Sequence, residues 1–284
     1  MKLSCLPVSF FNDIQSGVMS IHDWAVMARA TGLDAIDLSI VLIRNHTPVY
    51  LRRLRDDLER ENMPVVMIAT YPDFTHPDPQ QRKREVEYTR HDIAIASELG
   101  AKYLRVTAGQ VHPETSQSQG IAWVVEDFKR IDEVASEFSV QLLFENHSKP
   151  GAWCNADFSH PTTVFQEIAE ALQDTNIGVN FDTANTLVYG DDPIPVLRRV
   201  VKRVVTVHAA DTAVRGQLKP VMIGTGIVPF NDIFLVLREN AFDGWICIEE
   251  ASNLGKVGVI GAVKFVKSAW EQSAMSSTQG KSRI

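Results

Sequence analysis

The stretch IGVNFDTAN (177–185) poses the question that decides the fold. Its first half is typical of a buried strand, yet the run ends in Asp182. Three other runs also end in an acid or a histidine after β-branched and aromatic residues: LLFE (142–145), VVTVH (204–208) and WICIE (245–249). Charged groups are rarely buried without a partner. The four run ends therefore require a fold that brings them to one place.

Eight short β-rich runs recur along the chain, and segments with helical periodicity separate them. The runs are LSCLPVSF (3–10), AIDLSI (35–40), PVVMIAT (64–70), KYLRVTA (102–108), VQLLFENH (140–147), IGVNFDT (177–183), RVVTVHA (203–209) and WICIEE (245–250). Two intervening segments end in Gly32 and Gly100, and glycine is a helix-stop signal. The pattern predicts an α/β protein, a single (β/α)8 TIM barrel over residues 1–272, with a polar tail, 273–284, that we expect to be disordered. A doubly wound sheet shares this pattern and stays open.

The composition indicates a globular protein whose partner is not a nucleic acid. The chain has 284 residues, 45% of them hydrophobic, and a formal net charge of -7. Proteins that hold phosphate backbones usually display a basic face. The N-terminal segment is too short and interrupted for a signal peptide or a membrane span, so we expect a cytoplasmic protein without a membrane partner. Three cysteines without a CxxC pair predict neither a disulfide framework nor a thiolate zinc site.

A barrel would bring the four run ends together, because catalytic groups of this fold lie at the carboxyl ends of its strands. Glu145, Asp182, His208 and Glu249 are then candidate ligands for one divalent metal ion. This mostly oxygen set suits Mn²⁺ best, with Mg²⁺, Co²⁺ and Zn²⁺ as alternatives. A helix N-cap or a structural histidine explains each residue alone equally well. Strand alternation turns Asn180 to the same face, where it would orient a ligand or simply pack inside the barrel.

Five segments resemble the xylose-isomerase-like TIM barrels, often called sugar phosphate isomerases/epimerases. They are LLFENH, VNFDTAN, VTVHAAD, GTGIVPF and WICIEE. The group includes ketose 3-epimerases, hydroxypyruvate isomerase, inosose dehydratase and 3-dehydroshikimate dehydratase. The resemblance implies the four metal ligands named above, with Glu145 and Glu249 doubling as acid/base groups. It also implies that Arg215 contacts the substrate.

Two positions depart from the ketose 3-epimerase pattern. Asn185 stands where those enzymes commonly place a histidine, and Gly151 stands where they tend to carry a glutamate. We expect Asn185 to support the metal ligands. The loop after the fifth run offers His147 and Trp153 to a substrate, and Arg105 lies within the fourth run. We expect these three residues to bind substrate, although loop packing explains Trp153 equally well.

The predicted chemistry is proton abstraction next to a carbonyl. A divalent ion at the mouth would chelate a carbonyl oxygen and an adjacent hydroxyl and stabilise the resulting enediolate. Glu145 and Glu249 can then remove and return the proton. This predicts a metal-dependent isomerase or epimerase of a keto-sugar or related polyol. The alternative is a lyase that dehydrates a keto-polyol such as inosose or 3-dehydroshikimate, or that cleaves a 3-keto-glycoside or C-glycoside.

Two further functions fit a barrel of this kind, a binding protein and a nuclease. A non-catalytic polyol-binding protein would keep the same metal site. A DNA-repair endonuclease of the same barrel would need more histidines for its zinc cluster, and the acidic net charge argues against it. The expected partner is therefore a small sugar or polyol. Assembly into a homo-oligomer stays open, because no helix shows a self-complementary face.

Overall fold

Eight parallel strands form one sheet that curves into a barrel in a computed structural model of the chain. The structure describes residues 1–148 and 153–281, the last seven as helical backbone. The hydrogen-bonded order is β1-β8-β7-β6-β5-β4-β3-β2, and every neighbouring pair is parallel. The strands are β1 Lys2–Leu6, β2 Ile36–Ser39, β3 Val65–Ala69, β4 Tyr103–Val106, β5 Gln141–Glu145, β6 Gly178–Asp182, β7 Val204–Ala209 and β8 Trp245–Glu249. The barrel prediction is confirmed.

The ring closes between β1 and β2 through Asp34 and Asp37. The backbone N–H of Asp34 donates to the carbonyl of Leu3 at 2.9 Å, and the Asp34 carboxylate accepts the N–H of Leu3 at 2.9 Å. Inside the barrel, the hydroxyl of Ser4 donates to Asp37 at 3.1 Å. These contacts join the first and last strands of the hydrogen-bonded order.

Helices connect consecutive strands on the outside of the barrel. They are α1 Phe11–Ser16, α2 Ile21–Ala30, α3 Pro48–Arg60, α4 Pro79–Glu98, α5 Gln117–Glu137, α6 Thr162–Ala171, α7 Asn185–Tyr189, α8 Pro193–Val200, α9 Phe230–Glu239 and α10 Gly255–Lys281. A capping box between Ser20 and Asp23 begins α2. Gly32 and Gly100 follow helix ends with positive φ angles of 87° and 74°, as a helix stop requires. Within the described chain, no helix combines the length and hydropathy that a membrane span needs.

The last helix, α10, continues past residue 272, where the sequence pattern places the end of the barrel domain. Ser273 is 2% exposed, and its hydroxyl accepts a hydrogen bond from Arg238 Nε at 2.8 Å. The last three residues of the predicted tail lie outside the described residues. The division into a barrel domain and a disordered tail stays a prediction.

An aromatic layer between the barrel and its helices orients β5. Phe144 contacts Phe128 of α5 and Phe165 of α6, with ring centroids 5.4 Å and 5.2 Å apart. All three rings are at most 1% exposed. Because side chains alternate along a strand, burying Phe144 under the helices turns Glu145 toward the barrel interior.

Replacing Phe144 with alanine should remove the centre of this layer. We expect Phe144→Ala to lower the free energy of unfolding by about 3–5 kcal/mol, because the lost ring leaves a cavity. Urea unfolding followed by circular dichroism measures the change. Phe138→Ala is the control, since Phe138 is 41% exposed and should cost less than about 1 kcal/mol. Equal losses in the two variants would show that the aromatic layer does not stabilise the barrel.

Candidate active site

Four side chains converge at the carboxyl end of the barrel, one from each of β5 to β8. They are Glu145, Asp182, His208 and Glu249, and none is more than 7% exposed. Each offers one ligating atom, and these atoms lie within 4.8 Å of one another. Nδ1 of His208 is 3.1 Å from Glu145 Oε1 and 3.8 Å from Glu249 Oε2. The structure thus brings together the four residues that the strand ends predict as ligands.

Asp182 is held by the turn after β6 and by the amide of Asn146, the residue that follows β5. Its Oδ1 accepts the backbone N–H groups of Ala184 at 2.7 Å and Asn185 at 2.8 Å. The Asn146 amide accepts the N–H of Asp182 at 2.8 Å and donates to its carbonyl at 2.9 Å. Asn185 therefore contacts the cluster through its backbone, while its side-chain oxygen accepts the hydroxyl of Ser148 at 2.6 Å.

Arg105 forms a buried ion pair with Glu145. Its Nε lies 2.9 Å from Glu145 Oε2, its Nη1 donates to the Thr70 carbonyl at 2.8 Å, and its guanidinium lies 4.7 Å from the centre of the Tyr71 ring. Burial alone would raise the pKa of Glu145, but the charges of Arg105 and His208 outweigh it and hold that pKa well below its usual range. Glu145 is therefore ionised and a weak proton acceptor in the metal-free protein.

The charges of the cluster fit a divalent cation. The cluster holds three carboxylates, and the Arg105 guanidinium paired with Glu145 balances one of them, so two negative charges stay uncompensated while His208 is neutral. Burial alone would lower the pKa of His208, but the Glu145 carboxylate raises it above its usual value. Three carboxylate oxygens and one imidazole nitrogen form a ligand set for divalent metals, and a bound ion would supply the missing positive charge.

A second buried pair lines the mouth. Nδ1 of His147 lies 2.8 Å from Asp157 Oδ2, and the two residues are 3% and 0% exposed. The other Asp157 oxygen accepts the N–H and the hydroxyl of Ser159 at 2.6 Å and 2.7 Å. The His147 ring lies edge-on to Tyr71 and Trp153, with centroids 6.3 Å and 5.7 Å apart. The predicted substrate-binding residues His147 and Trp153 thus belong to one wall of the mouth.

The structure does not bring Arg215 to this group. The sequence predicts that Arg215 contacts substrate, but its side chain is exposed and its Nη1 donates to the carbonyls of Gly190 at 3.1 Å and Asp191 at 3.0 Å. These bonds hold the guanidinium against the loop after α7. A contact between Arg215 and substrate stays a prediction.

The sequence predicts some of the other residues near the cluster and misses others. Asn180 pairs with β5 in the sheet register and accepts the hydroxyl of Thr206 at 2.7 Å, so it lies in the barrel interior, as its inward position predicts. Gly151 lies outside the described residues. Asn146 and Asp157 contact partners 36 and 10 residues away, and no local pattern marks either of them.

Asp211 organises the loop after β7. Apart from the nearby GTG turn, no sequence pattern predicts this role. Its carboxylate accepts the backbone N–H groups of Gly224 and Gly226 at 2.9 Å each, Val228 at 3.2 Å and Thr212 at 2.9 Å. A Cβ on Gly226 would lie 2.2 Å from Asp211 Oδ1. The turn therefore needs glycine for close approach to a carboxylate, not only for backbone flexibility.

Adding one methyl group at Gly226 tests this role. We expect Gly226→Ala to lower the free energy of unfolding by about 1–3 kcal/mol, because the new Cβ would overlap the Asp211 carboxylate. Thermal and urea unfolding measure the loss. Thr225→Ala is the control in the same turn, because its exposed hydroxyl donates only to the Met222 carbonyl, and we expect a change within about 0.5 kcal/mol. A Gly226→Ala variant as stable as the control would contradict the packing argument.

The barrel agrees with a direct family comparison. The family model described as xylose isomerase-like TIM barrel matches residues 26–268. The chain belongs to this family. Inosose dehydratase of Clostridium botulinum (strain Eklund 17B / Type B) is 21% identical to this xylose isomerase-like barrel, over 88% of this chain and 89% of that protein. Inosose dehydratase of Clostridium tetani is 24% identical over 51% of this chain, and that match spans about half of the relative's length, 52%.

Solved structures of similar barrels cover nearly the whole chain. L-ribulose 3-epimerase superposes with a TM-score of 0.79 at 16% identity, over 100% of this chain and 99% of that one. The IolI protein, crystallised with a zinc atom, superposes with a TM-score of 0.79 at 15% identity, over 96% of this chain and 99% of that one. At these identities the likeness shows a shared fold.

Proposed function

We propose that this xylose isomerase-like barrel is a divalent-metal-dependent isomerase or epimerase that removes a proton next to the carbonyl of a keto-sugar or related polyol. The observation that carries the proposal is the buried cluster of three carboxylates and one imidazole at the mouth of the barrel. The names of its relatives, inosose dehydratase and L-ribulose 3-epimerase, support a sugar or polyol substrate.

Glu145, Asp182, His208 and Glu249 are the residues that would hold the metal. A bound divalent ion would polarise the substrate carbonyl and stabilise the enediolate that follows proton loss. The oxygen-rich ligand set favours Mn²⁺, with Mg²⁺, Co²⁺ and Zn²⁺ as alternatives. The zinc atom in the IolI structure supports a metal in a barrel of this fold.

The ion pair with Arg105 makes Glu145 a poor proton acceptor. Glu145 is paired with Arg105 at 2.9 Å, and its pKa is depressed, so protonating it would cost that ion pair. A general base works best when its pKa lies near the working pH. Glu249 therefore removes the proton and, as the carboxylic acid so formed, returns it to the neighbouring carbon, which gives an isomer. Epimerisation would instead require Glu145 to carry its own proton to the opposite face, at the cost of its ion pair with Arg105.

The wall beside the cluster supplies the substrate contacts. His147 and Trp153 face the mouth, and Arg105 acts on the substrate through Glu145. The Asn185 Nδ2 is buried and has no hydrogen-bond partner in the part of the chain that the structure describes. A buried amide without a partner is costly, so we assign this donor to a substrate oxygen, at the position where ketose 3-epimerases commonly carry a histidine.

A lyase is the second candidate function, and two observations favour it. The depressed pKa of Glu145 makes it a poor second acid/base, and a lyase needs only one base next to the carbonyl. The leaving oxygen needs an acid, and His147 is the candidate because Asp157 binds its Nδ1 at 2.8 Å and fixes the ring at the mouth. The substrates would be a keto-polyol such as inosose or 3-dehydroshikimate, or a 3-keto-glycoside or C-glycoside.

Deuterium uptake from D₂O tests the proposal. We expect the metal-loaded protein to exchange the hydrogen next to the carbonyl of a keto-sugar and the EDTA-treated protein to leave it, with NMR as the measurement. An epimer or isomer as product supports the first function, while a conjugated product or a released aglycone supports the lyase. Metal-dependent binding without exchange, across free and phosphorylated sugars, would contradict both and identify a polyol-binding protein.

The assignment of the base predicts the behaviour of one variant. Glu249→Gln should keep the fold and lower turnover by on the order of a hundredfold or more, because an amide cannot accept the proton. Glu239→Gln is the control, since Glu239 lies on the surface in a pair with Arg198 at 3.7 Å and should turn over substrate as the wild type does. Near-normal turnover in Glu249→Gln would remove Glu249 from proton transfer.

Metal binding should depend on pH, because the ion and a proton compete for His208. The pKa of His208 lies above its usual value, so the competition extends above about pH 6.5. The affinity for Mn²⁺, measured by titration calorimetry, should rise by up to about tenfold per pH unit and level off once the imidazole is neutral. A flat profile from about pH 6 to 8 would remove His208 from the ligand set.

A further inference from the structure

We propose that Asp37 is a positioning residue for His208: it accepts the Nε2–H of the imidazole, so that Nδ1 faces the other three ligands. The inference rests on the metal site proposed above. Asp37 lies on β2, and β1 and β8 separate that strand from β7 around the barrel. No strand-end pattern marks it, because it lies inside a β-rich run.

Asp37 is a buried carboxylate with spare capacity to accept a hydrogen bond. It is 1% exposed, and a charge in a barrel interior is costly unless it is bonded. Its Oδ2 accepts the hydroxyl of Ser4 at 3.1 Å. The thiol of Cys247 and the backbone of Met67 also approach the carboxylate. Its Oδ1 has no hydrogen-bond partner among the described residues.

His208 has a complementary unpaired atom. Its Nδ1 faces Glu145 and Glu249, at 3.1 Å and 3.8 Å, which leaves Nε2 for the opposite side of the ring. Nε2 is buried and, within the described chain, has no hydrogen-bond partner. Ligating atoms of Asp37, His208 and Cys247 lie within 4.8 Å of one another. A rotation of the ring or one bridging water would join Nε2–H to Oδ1.

This contact would select the imidazole tautomer that a metal needs. A neutral imidazole carries one N–H, and the acceptor beside it decides which nitrogen holds the proton. If the proton sat on Nδ1, that N–H would donate a hydrogen bond to the Glu145 carboxylate, and Nδ1 could not bind a metal. With Asp37 accepting from Nε2, the Nδ1 lone pair stays available. Carboxylate partners of metal-binding histidines change affinity by about 10- to 100-fold.

Two substitutions at Asp37 test the proposal through metal affinity and a spectroscopic signature. The Zn²⁺ affinity is measured by competition with a chelator. The Nε2–H signal is observed in ¹H–¹⁵N spectra of the zinc-loaded protein labelled with ¹⁵N-histidine. We expect Asp37→Leu to lose about tenfold or more in affinity and its protected Nε2–H signal. Asp37→Asn keeps an acceptor oxygen without the charge. Its Zn²⁺ affinity should therefore lie between those of the wild type and Asp37→Leu, and its Nε2–H signal should shift.

Ser4→Ala is the control, because it removes the bond to Oδ2 and leaves Oδ1 in place. Its affinity should stay within about threefold of the wild type, below the range of a lost histidine partner. Circular dichroism checks folding, and if Asp37→Leu does not fold, the Asp37→Asn variant decides.

Three results would overturn the proposal. They are a loss below about tenfold in a folded Asp37→Leu variant, an unchanged Nε2–H signal in Asp37→Asn, or two zinc ions bound per chain, which would put a metal rather than a proton on Nε2. A wild-type protein that binds no zinc would overturn the metal site itself and this inference with it. Equal zinc binding by wild type and variants would overturn the inference alone.

Discussion

The concentration of negative charge at the barrel mouth is the constraint on which the rest of the structure depends. Three carboxylates and an imidazole place their ligating atoms within 4.8 Å of one another, almost out of contact with water. Such an arrangement is unfavourable by itself, since like charges repel strongly when buried. The Arg105 guanidinium and the backbone N–H groups that donate to Asp182 offset part of this cost. A bound divalent ion would offset the rest of the repulsion.

The barrel makes the arrangement rigid because each member of the cluster comes from a different strand. The strand faces that carry the cluster alternate with apolar faces buried under the helices, and Phe144 beside Glu145 is the clearest case. Polar contacts between neighbouring strands add to this, as in the Asn146 amide that binds both backbone groups of Asp182. The cluster geometry is therefore a property of the whole ring, and a change in the outer layer would reach the site through strand position.

The electrostatics also decide the protonation state of one carboxylate of the cluster, Glu145. The charges of Arg105 and His208 depress the pKa of Glu145, so Glu145 takes up a proton only at the cost of its ion pair with Arg105. The His147–Asp157 pair supplies a further titratable group at the mouth.

The sequence by itself determined the eight strands and the four strand-end residues of the cluster, because strand alternation and strand ends are local patterns. It predicted the barrel but left a doubly wound sheet open, and the contacts that close the ring between β1 and β2 decided between them. Only the tertiary structure decided which groups those residues meet. Asn146 and Asp37 contact partners 36 and 33 residues away, and the direction of Arg215 is decided by two carbonyls on a neighbouring loop. Such contacts depend on how distant segments pack, and no periodicity in the chain records that packing.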